Sequence, residues 1–163
     1  MDSNRTPYVL GSEDGEFFWG VDGSLWTLKA SAEQTGGRFS LIEEFGQLQE
    51  GTPLHVHHED DEAFYVLEGE LTFYLDNDQP IPASAGSFVH IPGGVVHAFK
   101  VASETARYLI TTTPQHERFY RAISEPAQSR SFPPQAPLDM EKVEAACQEY
   151  GVEILGPPPG AQT

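Results

Sequence analysis

The sequence predicts an all-β fold with a short helical appendage, and three observations carry that reading. Between Glu16 and Thr113, short runs rich in aromatic and β-branched residues recur at close intervals. Turn signals separate them: Asp22-Gly23, Gly36-Gly37, Asp76-Asn77-Asp78 and Pro92-Gly93-Gly94. Chemically distinctive side chains sit two apart, as strand periodicity requires of groups sharing a face. The expected strands are 17–19, 25–29, 39–43, 62–67, 71–75, Phe88–Ile91, 96–101 and 107–111, with 8–10 as an edge strand. Strands this short, this regularly spaced, argue for a sandwich or barrel. No internal repeat is visible, so one barrel is expected.

After Thr113 the pattern changes. Residues 115–123 can form a short helix after Pro114, with Phe119 and Ile123 at i, i+4. A proline-rich linker spans 131–137. Asp139 can then cap a helix over Met140–Tyr150, which Gly151 ends. Met140, Val143, Ala146 and Cys147 give it an apolar stripe. Pro157-Pro158-Pro159 makes a stiff tail. The expected division is a β-barrel over 1–113 and a helical extension over 114–163 that packs on it.

Composition narrows the partners. A chain of 163 residues can bury a substantial core as one domain. A net charge of −16 argues against nucleic acid and anionic membranes, whose phosphates need a basic surface. The opening Met1-Asp2-Ser3-Asn4-Arg5 leads into no apolar run, so neither a signal peptide nor a membrane span is expected. The single cysteine, Cys147, excludes an internal disulfide and fits a reducing cytoplasm.

The segment Gly51-Thr52-Pro53-Leu54-His55-Val56-His57 places two imidazoles on one strand face. A polar turn follows, and Glu62 opens the next strand; a tight connection between paired strands can return Glu62 to the histidines. His97 follows the Pro92-Gly93-Gly94 turn. His55, His57, Glu62 and His97 together suit one divalent transition metal (Fe, Mn, Co, Ni, Cu or Zn) better than Mg or Ca, which prefer all-oxygen shells.

At these residues the chain resembles the cupin superfamily. Its first block fits G-x5-H-x-H-x3,4-E-x6-G from the histidines through Glu62 to Gly69, with the opening glycine displaced to Gly51. The second, Gly86 to His97, fits G-x5-P-x-G-x2-H, but Val101 stands where the motif closes on asparagine. The two motifs occupy 51–69 and 86–101. The wording HVHHEDDEAFYVLEGELTFYL and IPGGVVHAF is similar to bacterial single-domain cupins described as quercetin 2,3-dioxygenase-like. The resemblance implies a double-stranded β-helix, or jelly-roll barrel, with the helical tail, and a homodimer. It implies a metal-dependent dioxygenase acting on a flavonol-like or other enolisable aromatic small molecule. There His55, His57 and His97 would be permanent ligands and Glu62 ligand and catalytic base, with O2 the second substrate and carbon monoxide lost on ring opening. A metal-dependent isomerase or cyclase of secondary metabolism that consumes no O2, and a non-catalytic small-molecule binder, are the alternatives.

Strand parity sketches a pocket. With Glu62 and His97 inward, Phe64, Val66, Phe99 and Val101 follow them, and Phe39, Leu41, Phe73 and Phe88 are added from neighbouring strands. An aromatic, mostly apolar cavity suits a flat organic substrate. No lysine or arginine falls among these positions, which argues against a phosphorylated sugar. His58 is expected in a solvated turn, His90 as a structural histidine, His116 at the surface, Glu59, Asp60 and Asp61 in a charged loop, and Cys147 in the core.

Overall fold

The computed structural model describes residues 6–76, 79–134 and 137–160. Asn77 and Asp78 of one expected turn, Gln135 and Ala136 of the linker, and the opening Met1-Asp2-Ser3-Asn4-Arg5 lie outside the described residues. Two antiparallel sheets face each other. In chain order the strands are β1 (Glu16–Trp19), β2 (Leu25–Ala30), β3 (Ser40–Gln47), β4 (Leu54–His57), β5 (Glu62–Glu68), β6 (Glu70–Leu75), β7 (Ile81–Ser84), β8 (Phe88–Ile91), β9 (His97–Val101) and β10 (Thr105–Thr112). Helix α1 (Pro114–Ile123), β11 (Glu125–Pro126), α2 (Met140–Tyr150) and β12 (Val152–Gly156) follow. One sheet runs β11-β1-β2-β3-β10-β5-β8 and the other β12-β4-β9-β6-β7.

Alternation along the strands explains the layering. On β5, Glu62, Phe64 and Val66 are buried while Tyr65 is exposed. On β3, Ser40, Ile42, Glu44 and Gly46 turn inward. The enclosed core holds Trp26, Ile42, Phe64, Phe73, Phe99 and Tyr108, among others, with Phe64 edge-on to Phe73 and Phe99 at centroid separations of 5.0 and 5.1 Å. Val101 is fully buried in this apolar cluster, and an asparagine there would need hydrogen-bond partners among hydrocarbon.

The segment after Thr113 is built into both sheets. The Thr113 hydroxyl caps α1 by accepting from His116 N (3.2 Å), and Pro114 occupies the first turn, where no N–H is needed. Asp139 caps α2 through Lys142 N (3.1 Å), and Gly151 ends it in the left-handed conformation (φ 71°). The chain then enters β12, which pairs Val152 with His57 and Ile154 with His55 and so covers the outer edge of β4. β11 adds to the opposite sheet beside β1. Neither strand was expected: each is too short or too interrupted by proline and glycine to show a periodic pattern. The expected strand at 8–10 does not form. Val9 is 94% exposed, and Tyr8 is tied by its hydroxyl to the Lys29 carbonyl (2.9 Å).

Gly51 explains its displacement from the motif position. It bridges Lys100 on β9, and a Cβ there would collide with the Phe99 carbonyl and lie 2.7 Å from Lys100 Cα. Thr52 N donates to Phe99 O (3.0 Å) and Val101 N to Glu50 O (2.8 Å), docking the lead into β4 against the strand that carries His97. Gly51→Ala is therefore expected to lower stability by about 1–3 kcal/mol through overpacking, read by urea unfolding. An unchanged midpoint would show that this lead does not need the close approach.

Candidate metal centre

His55 and His57 share one face of β4, and β9 sets His97 directly opposite His55 in the antiparallel register. The ring centroids lie 4.3 Å (His55–His97), 4.7 Å (His57–His97) and 5.2 Å (His55–His57) apart. The expected route for Glu62 was a tight connection between paired strands. The structure differs: β4 pairs with β9 and β12, whereas β5 pairs with β10 and β8, so Glu62 arrives across the sandwich from the other sheet.

Each imidazole is oriented by its own backbone. Nδ1 of His55 meets the Pro53 carbonyl (2.9 Å), that of His57 the Asp60 carbonyl (3.1 Å), and that of His97 the Val95 carbonyl (2.9 Å). A carbonyl only accepts, so Nδ1 carries the proton and Nε2 presents a lone pair. The Nε2 atoms of His57 and His97 are buried without a hydrogen-bond partner. Such orphaned acceptors are destabilising unless something occupies the space between them. Donor atoms of His55, His57 and His97 all lie within 4.8 Å of one another. Glu62 Oε2 stands 3.5 Å from His57 Nε2 and 3.6 Å from His97 Nε2, compatible with donors sharing an ion about 2.0–2.2 Å from each. The residues present therefore fit a transition metal, with the imidazole set and Glu62 as its holders.

A fourth histidine belongs to this cluster, contrary to the expectation of a surface position. His116 is buried in α1, its Nε2 3.6 Å from Glu62 Oε1 and its ring 4.2 Å from that of His57. His57, Glu62 and His116 form a second group with donors within 4.8 Å. Tyr120, one turn further, donates to Glu62 Oε1 (3.2 Å). Asp60, expected in a charged loop, is buried too. Its carboxylate accepts from the Thr113 hydroxyl and from Gln115 Nε2 (3.4 Å), while its carbonyl holds His57. One residue thus links the orientation of His57 to the start of α1. The only sequence signal for His116 was its helical spacing with Tyr120 at i, i+4. His58 and His90 stay outside, exposed beside Glu153 (3.3 Å) and Asp61 (3.6 Å).

Burial pushes the His55 imidazole down to about 3, helped by the neighbouring His97 and His57. Burial likewise lowers His57 to about 4, against the opposing pull of Glu62. Burial alone would raise the Glu62 carboxyl. Contacts from His116 and His97 and the charges of His116 and His57 outweigh it and hold the group well below the usual carboxylate range.

A cavity of about 110 Å³ adjoins the cluster, lined by His55, Phe99, Trp26, Phe119, His116 and Tyr120, among others. Of the eight expected pocket residues only Phe99 lines it. Phe64, Val66, Phe73 and Val101 are sealed in the core. Phe39 (42% exposed), Leu41 and Phe88 (66% exposed) face outward. β3 turns its even positions inward, and Phe88 pairs with exposed Tyr65 on the outer face.

Residues 44–112 match the family model described as Cupin domain. The barrel has the cupin fold. The whole chain is similar to the Quercetin 2,3-dioxygenase of Bacillus subtilis (strain 168), 29% identical over 160 residues, 96% of this chain and 47% of that protein. It thus spans about half the length of this curated relative. Among solved structures, the polyketide cyclase RemF from Streptomyces resistomycificus superposes with a TM-score of 0.60 at 20% identity, over 85% of this chain and 92% of its own. KdgF from Halomonas sp. gives 0.59 at 14% identity, over 67% and 94%. At these identities the likeness speaks for the cupin fold. Among the described residues no helix is long and apolar enough to cross a membrane.

Two expectations follow. The chain is expected to take up one Ni2+ or Zn2+ per barrel in equilibrium dialysis with elemental analysis. His57→Ala and His97→Ala should each weaken uptake by more than the roughly 10–100-fold typical of a supporting hydrogen-bond partner. Wild-type affinity in both variants would show that these imidazoles hold no ion. In the metal-free protein, His55 and His57 are neutral at pH values where the unfolded chain already binds protons, so acid favours unfolding. Stability should be fullest above pH ~6.5 and fall toward the folded values by up to about 1.4 kcal/mol per pH unit for each group. A melting temperature that stays flat from pH 7 to about 4 would contradict it.

Proposed function

We propose that this cupin is a metal-dependent dioxygenase acting on a flavonol-like or other enolisable aromatic small molecule. The observation that carries this reading is Glu62: a buried carboxylate set against His57 and His97 beside an aromatic-lined cavity. The similarity to a protein named Quercetin 2,3-dioxygenase supports it.

His55, His57, Glu62 and His97 would hold the ion. When bound, the metal supplies Lewis acidity toward an enol oxygen and redox chemistry toward O2. The chain's own groups do the rest. Glu62 accepts the proton of the substrate hydroxyl, a role that needs an ionised carboxylate at neutral pH. Tyr120 holds Glu62 Oε1, leaving Oε2 turned toward His57 and His97. Burial and the Glu62 charge keep the Tyr120 hydroxyl well above its usual range, so it remains a donor. Trp26, Phe99 and Phe119 give the ring an apolar surface and exclude water. No lysine or arginine lines the cavity among the described residues, which disfavours a phosphorylated substrate.

A second reading, an isomerase or cyclase that consumes no O2, is favoured by one observation. Glu62 is already surrounded by proton-carrying groups, His116 and Tyr120, which suffice for proton transfer within a bound enol. Oxygen consumption and carbon monoxide release over a panel of flavonols, with protein loaded in turn with Fe, Mn, Co, Ni, Cu and Zn, separates the two. The dioxygenase reading expects both gases to change in step with substrate loss, and Glu62→Gln to reduce kcat by roughly a hundredfold or more. Substrate conversion without O2 uptake would move the assignment to the second reading. Full turnover by Glu62→Gln would remove the base from either.

A further inference from the structure

Two adjacent glutamates on β3 have opposite surroundings. Glu43 faces outward between two cations, Lys29 (3.5 Å) and Arg107 (3.0 Å). Glu44 faces into the barrel and is 2% exposed. Its Oε1 accepts from the Tyr108 hydroxyl (3.0 Å), and its Oε2 is buried without a hydrogen-bond partner. Glu44 also lines the cavity beside the candidate metal centre, on the seven-stranded sheet, whereas His55 lines it from the five-stranded one.

The hydrogen bonds of Ser24 and Trp26 go to other groups, although the Ser24 hydroxyl stands close enough to Glu44 to act on its carboxyl. The Ser24 hydroxyl and backbone N–H both donate to Asp22 Oδ1 (2.7 and 3.1 Å), and Trp26 Nε1 donates to Ser124 Oγ (3.0 Å). Gly20 lets this turn close over the cavity, because a Cβ there would collide with Ser24 Oγ and lie 2.5 Å from Asp22 Oδ1. Glu44 Oε2, an acceptor and potential donor, is therefore left unpaired on a residue that lines a cavity whose other walls are largely aromatic and aliphatic. A buried polar atom left unpaired destabilises the fold by about 1–3 kcal/mol, so its retention points to a partner that arrives with the ligand.

We propose that Glu44 is a specificity-determining residue of this cavity. Its free Oε2 binds a hydroxyl or carbonyl on the part of the substrate that lies away from the imidazole wall. The substrate class is then a neutral enolisable ring bearing a second polar group, because Asp22 and Glu44 share the cavity lining with no lysine or arginine among the described residues. Burial and the nearby Asp22 charge hold the Glu44 carboxyl well above the usual range despite Ser24 and Tyr108, which favours its protonated form. A protonated carboxyl both donates to and accepts from an alcohol. This inference rests on the enol-binding reading of the metal cluster.

The test uses the full chain loaded with Zn2+, which is redox-inert, and two small enolic probes, kojic acid and allomaltol. They share one chelating ring, and allomaltol lacks only the side-chain hydroxyl of kojic acid. Isothermal titration should show kojic acid binding about tenfold more tightly to the wild type, the value of one buried hydrogen bond. In Glu44→Leu the preference should vanish or reverse, because an apolar wall favours the methyl group. Glu44→Met, closer in shape, replaces it if the leucine variant does not fold. Equal affinities in the wild type would overturn the role of Glu44 while leaving the enol reading intact. So would a preference that survives in the variant, or loss of the fold in both variants. Failure of both probes to bind would overturn the enol reading and this inference with it.

Discussion

The arrangement depends on one constraint: imidazoles whose Nδ1–H groups are spent on backbone carbonyls, so that their Nε2 lone pairs converge, those of His57 and His97 buried without a hydrogen-bond partner. Three loop carbonyls flanking the strands impose it. Pro53 and Val95 lie two residues before their histidines and catch the rings locally, while Asp60 catches His57 from the following turn. Convergence of unpaired lone pairs is unfavourable by itself, and burial of the same rings disfavours relieving it by protonation. What remains is coordination, or a stored cost carried by the rest of the fold.

The rest of the fold is arranged to carry that load. β12 covers the free edge of β4, so the strand with two of the imidazoles is paired on both sides. Asp60 connects His57 to the capped start of α1, and α1 in turn delivers His116 and Tyr120 to Glu62. The Glu62 carboxylate is held from the opposite sheet. Any shift of the two sheets relative to each other therefore changes its distance from the imidazoles. The aromatic core between Phe64, Phe73, Phe99 and Tyr108 resists such a shift by close packing.

Much of this was legible in the sequence, because strand alternation is a strict rule. His55, His57 and His97 share a face, as their spacing and the turn before His97 required. The Thr113 cap emerged only in the structure, but the two helices were legible for a local reason: Pro114 opens one, and Asp139 through Gly151 carry the start and stop signals of the other. Long-range pairing was not. Nothing in the residues between His57 and Glu62 says that the chain crosses to the other sheet, and the parity of β3 and β8 had no anchor, so Phe39, Leu41 and Phe88 were placed inside. Polarity alone puts His116 at the surface and Asp60 in a charged loop, because polar residues are mostly exposed. Their burial follows only once α1 folds back over the barrel. Glu43 and Glu44 make the point at single-residue resolution: identical side chains, adjacent in the chain, one held by two cations and one left with a free oxygen inside.

The central claim is that donors from both sheets share one ion. Anomalous diffraction from a crystal of the metal-loaded chain tests it directly. The account predicts a single peak about 2.0–2.2 Å from Nε2 of His55, His57 and His97 and from a Glu62 carboxylate oxygen. A peak bound only by exposed side chains such as His58 and Glu153, or no peak between the buried imidazoles at saturating metal, would contradict it.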